Sequence, residues 1–228
     1  MSLLFAQSEL ADLIYKVEKG QRLDFHDGLR MMNSQEILTL GYMANCLRER
    51  KNGNNTYYVV NRPIDYTDVC ASFPEEERSS TATLVYGHQE SNEKRIEALI
   101  ELRTRQSQTQ QFQIFSPLPF YEGNPNLEGG MGLSLTTGYD DLKMLAVSRI
   151  ILDNIDHIKG FWMLLGLKLA QVSLAFGVDE LDGTVQESID GKSLSHIISK
   201  QALINLIRKA GRDAVERKMH ASNNLKTH

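Results

Sequence analysis

Apolar residues in the first fifty positions recur at helical spacing. Leu10, Leu13, Ile14 and Val17 form one stripe, with Ser8 placed to cap the helix and Gly20 to end it. Asp24 predicts a cap for a second helix running through Met32. A third helix is predicted from Asn33 or Ser34, with Ile37, Leu40, Ala44 and Leu47 on one side. The period then changes. Residues 57–61 (Tyr-Tyr-Val-Val-Asn) are β-branched and aromatic and predict a strand. Further strands are predicted over 81–86, 112–115, 158–165 and 180–184. Helices are predicted over 91–105, 140–154, 167–176 and 199–210, the last two closed by Gly177 and Gly211. A loop rich in Pro and Gly separates residue 115 from residue 140.

Strands alternating with helices indicate an α/β chain with a parallel sheet. About five parallel strands with flanking helices are too few for a complete (β/α)₈ barrel, which takes roughly 250 residues. The pattern therefore predicts an incomplete (β/α) barrel. An N-terminal helical segment occupies residues 1–56, and the partial barrel with its C-terminal helix occupies 57–228. One connection breaks the rhythm. Between Cys70 and Thr81 no helix is predicted, although parallel neighbours need a crossover of about a dozen residues or more.

With 25 Lys and Arg against 29 Asp and Glu, the chain has no basic excess for nucleic acid. The Lys/Arg-rich stretch from Arg208 to Lys218 is interrupted by Asp213 and Glu216 and reads as a solvated helix end. The longest apolar run, Phe161 to Leu165, is far short of the ~18 residues that span a bilayer. The first residues lack the basic and apolar regions of a secretory signal. Two cysteines make no disulfide framework, so a reducing cytoplasm is expected. Cys46, inside an apolar-periodic helix, reads as a small core residue.

In parallel β/α folds the chemistry sits at the C-terminal ends of strands. That rule selects Cys70, Gly87, His88, Glu90, Phe120, Gly166, Asp182 and Thr184, and a small-molecule ligand as their partner. Each has a plainer reading. His88 is equally a solvated loop histidine, and Glu90 a carboxylate favoured by the helix dipole that follows it. Asp182-Gly183-Thr184 also reads as a tight turn, and Trp162 as a core residue. His157 precedes a strand and is assigned to stability. No P-loop, dinucleotide fingerprint, zinc-binding histidine pair or nucleophile elbow is present.

Several stretches together carry a resemblance. They are Val17 to Leu23 (Val-Glu-Lys-Gly-Gln-Arg-Leu), Leu40 to Asn45, Asn61 to Cys70 and Leu84 to His88 (Leu-Val-Tyr-Gly-His). Thr137 to Leu142, Ala146 to Arg149, Asp153 to Lys159 (Asp-Asn-Ile-Asp-His-Ile-Lys) and Asp179 to Val185 (Asp-Glu-Leu-Asp-Gly-Thr-Val) complete the set. The chain resembles the aminofutalosine synthase family of radical S-adenosylmethionine enzymes over nearly its whole length, on both sides of one gap. It is similar, less closely, to the deazaflavin-synthase branch.

The resemblance implies a transferase of menaquinone biosynthesis. Such an enzyme adds a 5′-deoxyadenosyl radical to 3-[(1-carboxyvinyl)oxy]benzoate, using S-adenosylmethionine and a [4Fe–4S] cluster. It implies Cys70 as the first cluster ligand, His88 and Glu90 as cofactor contacts, and Phe120, Asp182 and Thr184 as substrate contacts. The family's motif is Cys-x₃-Cys-x₂-Cys, and its second and third cysteines are replaced here by Pro74 and Glu77. A carboxylate is a poor substitute for thiolate at iron–sulfur sites.

After this motif the sequence resumes in the family's fifth strand, so barrel strands two to four are missing. The remaining strands are expected as an open sheet ordered 5-6-7-8-1. The linker must span roughly 26 Å, which about ten extended residues reach. Two open edges are expected to favour homo-oligomers. The chain is therefore expected either to be a family enzyme needing cluster ligands from elsewhere, or a non-catalytic remnant that binds a ligand or partner.

Overall fold

The computed structural model describes residue 5 and residues 7–60, 80–121, 135–187 and 197–217. Three helices come first: α1 (Ala11–Glu18), α2 (Phe25–Asn33) and α3 (Ile37–Asn52). Next come β1 (Asn55–Tyr58), β2 (Thr81–Tyr86), α4 (Asn92–Thr109), β3 (Ile114–Pro119), α5 (Gly138–Ile151) and β4 (His157–Phe161). The chain continues through α6 (Trp162–Leu165), α7 (Leu167–Ser173), β5 (Glu180–Asp182), β6 (Val185–Gln186) and β7 (Ile198–Ser199). It ends with α8 (Lys200–Lys209) and β8 (Asp213–Glu216).

Local chemistry places most of these elements where the pattern predicts. Asp24 caps α2 in a reciprocal capping box with Asp27, and Thr137 does the same for α5 with Asp140. Ser91 and Ser199 accept the amides of Lys94 and Ala202 in the first turns of α4 and α8. Ser8 does not cap α1. Its hydroxyl donates to Glu36 and accepts the amide of Leu10 at 3.0 Å, ahead of the helix, which begins at Ala11 with no side-chain cap.

Six strands form one parallel sheet in the order β2-β3-β4-β5-β1-β8. The first five places reproduce the expected open order of barrel strands five, six, seven, eight and one. β3 runs further than the aromatic run suggests, through Pro117 and Pro119. Its register pairs with β4 cover only Ile114 and Phe115, so both prolines stand where β2 is the registered neighbour. Proline is tolerated there because fewer ladder hydrogen bonds are demanded of it. β4 stops at Phe161, and Trp162 opens the short helix α6, ended by Gly166 at φ +77°. The buried run 158–165 is thus half strand and half helix, a distinction that periodicity over so few residues does not make.

β8 is the main departure from expectation. Of the stretch from Arg208 read as a solvated helix end, Arg208 and Lys209 do close α8, but Asp213–Glu216 is a strand parallel to β1, with all four residues in register from Asn55↔Asp213 to Tyr58↔Glu216. Gly211, at φ +76°, ends α8 and turns the chain back. The amides of Asp213 and Arg217 donate to the carbonyls of Asn54 (3.0 Å) and Tyr58 (2.8 Å). Lys200 binds Glu216 at 2.8 Å. β8 therefore lies on the side of β1 that a closed barrel gives to strand two, and it replaces β1 as the outer strand on that side.

Helices cover one face of the sheet. α5 is buried on almost every side, between β3 and β4 beneath it and α3 above. α2 packs on α4 and α5, so the N-terminal helices share one continuous apolar cluster with the sheet. Gly177, at φ +91°, lies so close to Arg149 that a side chain there would collide with its Cβ at 2.7 Å. Among the described residues no helix is long and apolar enough to cross a membrane.

The alternation of hydrogen bonds directs the amide of Val215 toward β1. Val215→Pro removes that donor and is expected to make the amides of Thr56 and Tyr58 exchange with solvent about tenfold faster. Unchanged exchange, measured by NMR or mass spectrometry, would show that β8 does not hold the edge.

Candidate functional site

On β4 and β5 successive residues alternate between faces, and the register sets Lys159 opposite Glu180 and Phe161 opposite Asp182. A side chain at Gly160 would meet Val178 and Ser173 on the helix side. His157, Lys159 and Phe161 therefore point to the opposite, concave face, and Glu180 and Asp182 point there with them.

This face carries a buried ionic network. Lys159 is fully buried, with its Nζ 2.8 Å from Asp182 Oδ2 and 3.1 Å from Glu180 Oε1. The other oxygen of Glu180 lies 3.0 Å from Arg217 Nη1. Arg217 follows β8, and its guanidinium sits 4.6 Å from the centre of the Tyr57 ring on β1. Burial pushes the carboxyl of Glu180 up, but Lys159 and Arg217 outweigh it and hold the group below the usual carboxylate range. Four strands thus contribute to one network: β4, β5, β1 and the chain leaving β8.

Below it, at the N-terminal ends of the strands, Asp179 collects a second set of partners. Arg149 of α5, fully buried, donates to Asp179 Oδ1, to the carbonyl of Gly177 (2.9 Å) and to that of Asp156 (2.9 Å). His157 Nδ1 lies 2.5 Å from Asp179 Oδ2, and the amide of Ile158 donates to Oδ1 at 2.8 Å. Tyr57 meets the His157 ring edge-on at 5.1 Å. His157 therefore binds structural partners away from the strand C-termini.

The residues selected from sequence scatter along the opposite rim. His88 is exposed and lies edge-on to Phe120, ring centres 4.7 Å apart, so the ends of β2 and β3 do bring these two together. Glu90 is held in the turn. Its oxygens accept the amides of Gly87 (2.5 Å) and His88 (3.0 Å), and Arg95 Nε at 2.7 Å. Burial raises its pKa, yet these amides and Arg95 bring it below the ordinary value. Asp182 accepts the amide of Gly183 at 2.8 Å as well as Lys159. Thr184 directs its amide to the sulfur of Met163 at 3.2 Å. Cys70 lies outside the described residues. Trp162 is buried in the core with Gly183 against its indole.

Lys159, Glu180, Arg217 and Tyr57 were not selected from sequence. A lysine between Ile158 and Gly160 in an apolar strand is a legible signal for the first of these. Arg217 offered none, because its strand was not foreseen.

Lys159→Met leaves Glu180 and Asp182 buried without their shared ammonium, and is expected to cost about 3–5 kcal/mol at pH 8. In the wild type the depressed Glu180 contributes stability above ~4.3 that is lost as pH falls through its lower native value. In the variant both carboxyls are expected to bind protons more tightly than in the unfolded chain, so stability should instead fall as pH rises from 5 to 8. Urea unfolding at the two pH values measures the reversal, and equal slopes would refute the pairing.

Comparison with known proteins agrees with this architecture. The chain is 42% identical over 143 residues to the aminodeoxyfutalosine synthase of Thermus thermophilus, covering 60% of this chain and 38% of that one. It is 45% identical over 112 residues to a 5-amino-6-(D-ribitylamino)uracil–L-tyrosine 4-hydroxyphenyl transferase of Methanoculleus marisnigri, covering 48% of this chain and 30% of that one. The chain thus spans well under half the length of these curated relatives. The FeFe-hydrogenase maturase HydG of Carboxydothermus hydrogenoformans superposes with a TM-score of 0.59 at 10% identity, over 91% of this chain and 79% of that one, a likeness of fold alone. Residues 109–222 match the family model described as the CofH/MqnC C-terminal region, and the chain belongs to the CofH/MqnC family.

Proposed function

We propose that this chain does not run a radical S-adenosylmethionine reaction by itself, and that its part-barrel binds a small polar molecule on the concave face. One observation carries the reading. A [4Fe–4S] cluster of the kind expected needs three convergent thiolates, and the chain has two cysteines. Cys46 stands on α3 in the helix layer, where burial pushes its thiol up and Tyr42 is its hydrogen-bond partner. A half-buried thiol with a raised pKa is a poor metal ligand. The donor set does not fit the cluster, and no chemical step is assigned through it.

The concave face supports the binding half of the proposal. Lys159, Glu180 and Asp182 are paired in advance and buried, and they hold in place the part-exposed Arg217 and Tyr57, which a ligand would meet. The relatives' names suggest the ligand class, tyrosine, a ribitylaminouracil or a futalosine-type product. A split enzyme completed by a second polypeptide is less well supported, because β8 already occupies the far side of β1. Self-association is proposed at β2 alone, where Val85 is exposed.

Anaerobic reconstitution with iron and sulfide tests the reading. The expected result is substoichiometric iron, unchanged in Cys70→Ala, with no 5′-deoxyadenosine formed from S-adenosylmethionine. About four irons per chain, together with cleavage of the cofactor, would overturn it.

A further inference from the structure

Where the end of α2 meets the first turns of α4 and α5, the chain forms a partly open polar pocket of about 190 Å³. It is lined by Asn33, Gln35, Asn92, Arg95, Asp140 and Lys143. The cavity lies among the helices, apart from the concave face, and nothing said of it depends on the proposed function.

Two cations line it with more donors than the protein accepts. Lys143 is only 7% exposed. One of its three N–H groups reaches the carbonyl of Met32 at 3.1 Å, and its ammonium stands 4.8 Å from the centre of the Tyr139 ring. Among the described residues no carboxylate lies within ion-pair distance of it, which is rare for a buried lysine. Burial accordingly pushes its pKa down. Arg95, with 14% of its side chain exposed, spends Nε on Glu90. Its two terminal amino groups have no hydrogen-bond acceptor among the described residues.

Asp140 is the one carboxylate on the lining. It is committed to the α5 cap, accepting the amide of Thr137 at 3.0 Å and its hydroxyl at 2.7 Å. Its charge offsets that of Lys143 across the gap without bonding to it. A cap for the last turn of α2 accounts for one N–H of Lys143 and leaves the others facing the cavity.

We propose that this cavity is a binding site for a small oxyanion, a carboxylate or a phosphate group, gripped by Lys143 and the terminal amino groups of Arg95. Side-chain amides of Asn33, Gln35 and Asn92 surround the same space and can complete the hydrogen bonds of such a ligand. The volume suits a single tetrahedral or planar anion and is too small for a nucleotide.

Thermal unfolding of the purified chain tests this, with sodium phosphate, sodium acetate and sodium chloride compared at equal ionic strength and pH. Phosphate or acetate is expected to raise Tm saturably, by about 5 °C at a hundredfold excess over Kd, while chloride does not. Comparing the phosphate and acetate arms identifies which oxyanion the site takes. Lys143→Met should abolish the increment, while its Tm without anion stays the same or rises because an unpaired buried ammonium is removed. Broadening of the ³¹P resonance of phosphate by wild-type protein reads binding without any variant. The proposal falls if no anion stabilises the wild type beyond chloride, or if Lys143→Met keeps the full increment.

Discussion

Asp179 is the residue on which the sheet depends, because it stands where the last barrel strand meets the first. Its carboxylate holds Arg149 from α5, the His157 ring and the amide of Ile158 on β4, and its carbonyl accepts the amide of Tyr57 on β1 at 2.8 Å. One residue thereby ties the helix layer to β4, β5 and β1. The tie matters because β1 is separated from β5 by more than a hundred residues and no hairpin sets their pairing. A buried arginine also cannot be left without its carboxylate except at high cost. The same contact that satisfies Arg149 thus fixes which strand lies beside which.

The charged network on the concave face follows from that register. Once Lys159 faces Glu180, its ammonium lies between two carboxylates of the same strand, two residues apart. Arg217 enters only because β8 pairs with β1 in register, bringing the residue after the strand over Tyr57. The family's part-barrel therefore keeps a prearranged polar face, while the thiolates that radical chemistry requires are reduced to two cysteines in all. The proposed absence of a cluster is compatible with retention of the fold, because Asp179, Arg149 and the strand ladder, not cysteines, hold the sheet.

β8 gives a second reason why a shortened barrel remains foldable. Unpaired strand edges invite association, and removing three strands from a closed barrel exposes two. Here the C-terminal strand covers one of them, and Lys200 braces it through Glu216 and Glu187. β2 and the short β8 are left as the outer strands of the described sheet.

Much of this was legible in the chain alone. The helical stripes of α1 to α3, the cap at Asp24 and the alternation of strands with helices each follow from spacing and side-chain chemistry over a few neighbouring residues. The family's sequence stretches added the strand order. The pairing of His88 with Phe120 was also foreseeable, since both end adjacent strands. Other features were decided only by contacts between distant segments. β8 has a four-residue pattern that is indistinguishable from a polar helix end until β1 lies beside it. Lys159 becomes the centre of a network only when Glu180 and Asp182 are brought opposite, and Lys143 faces a cavity only because three helix ends meet there. Local pattern specifies what a segment can become. Which charges find partners depends on segments far apart in the chain, because electrostatic and ladder interactions act across space and not along the backbone.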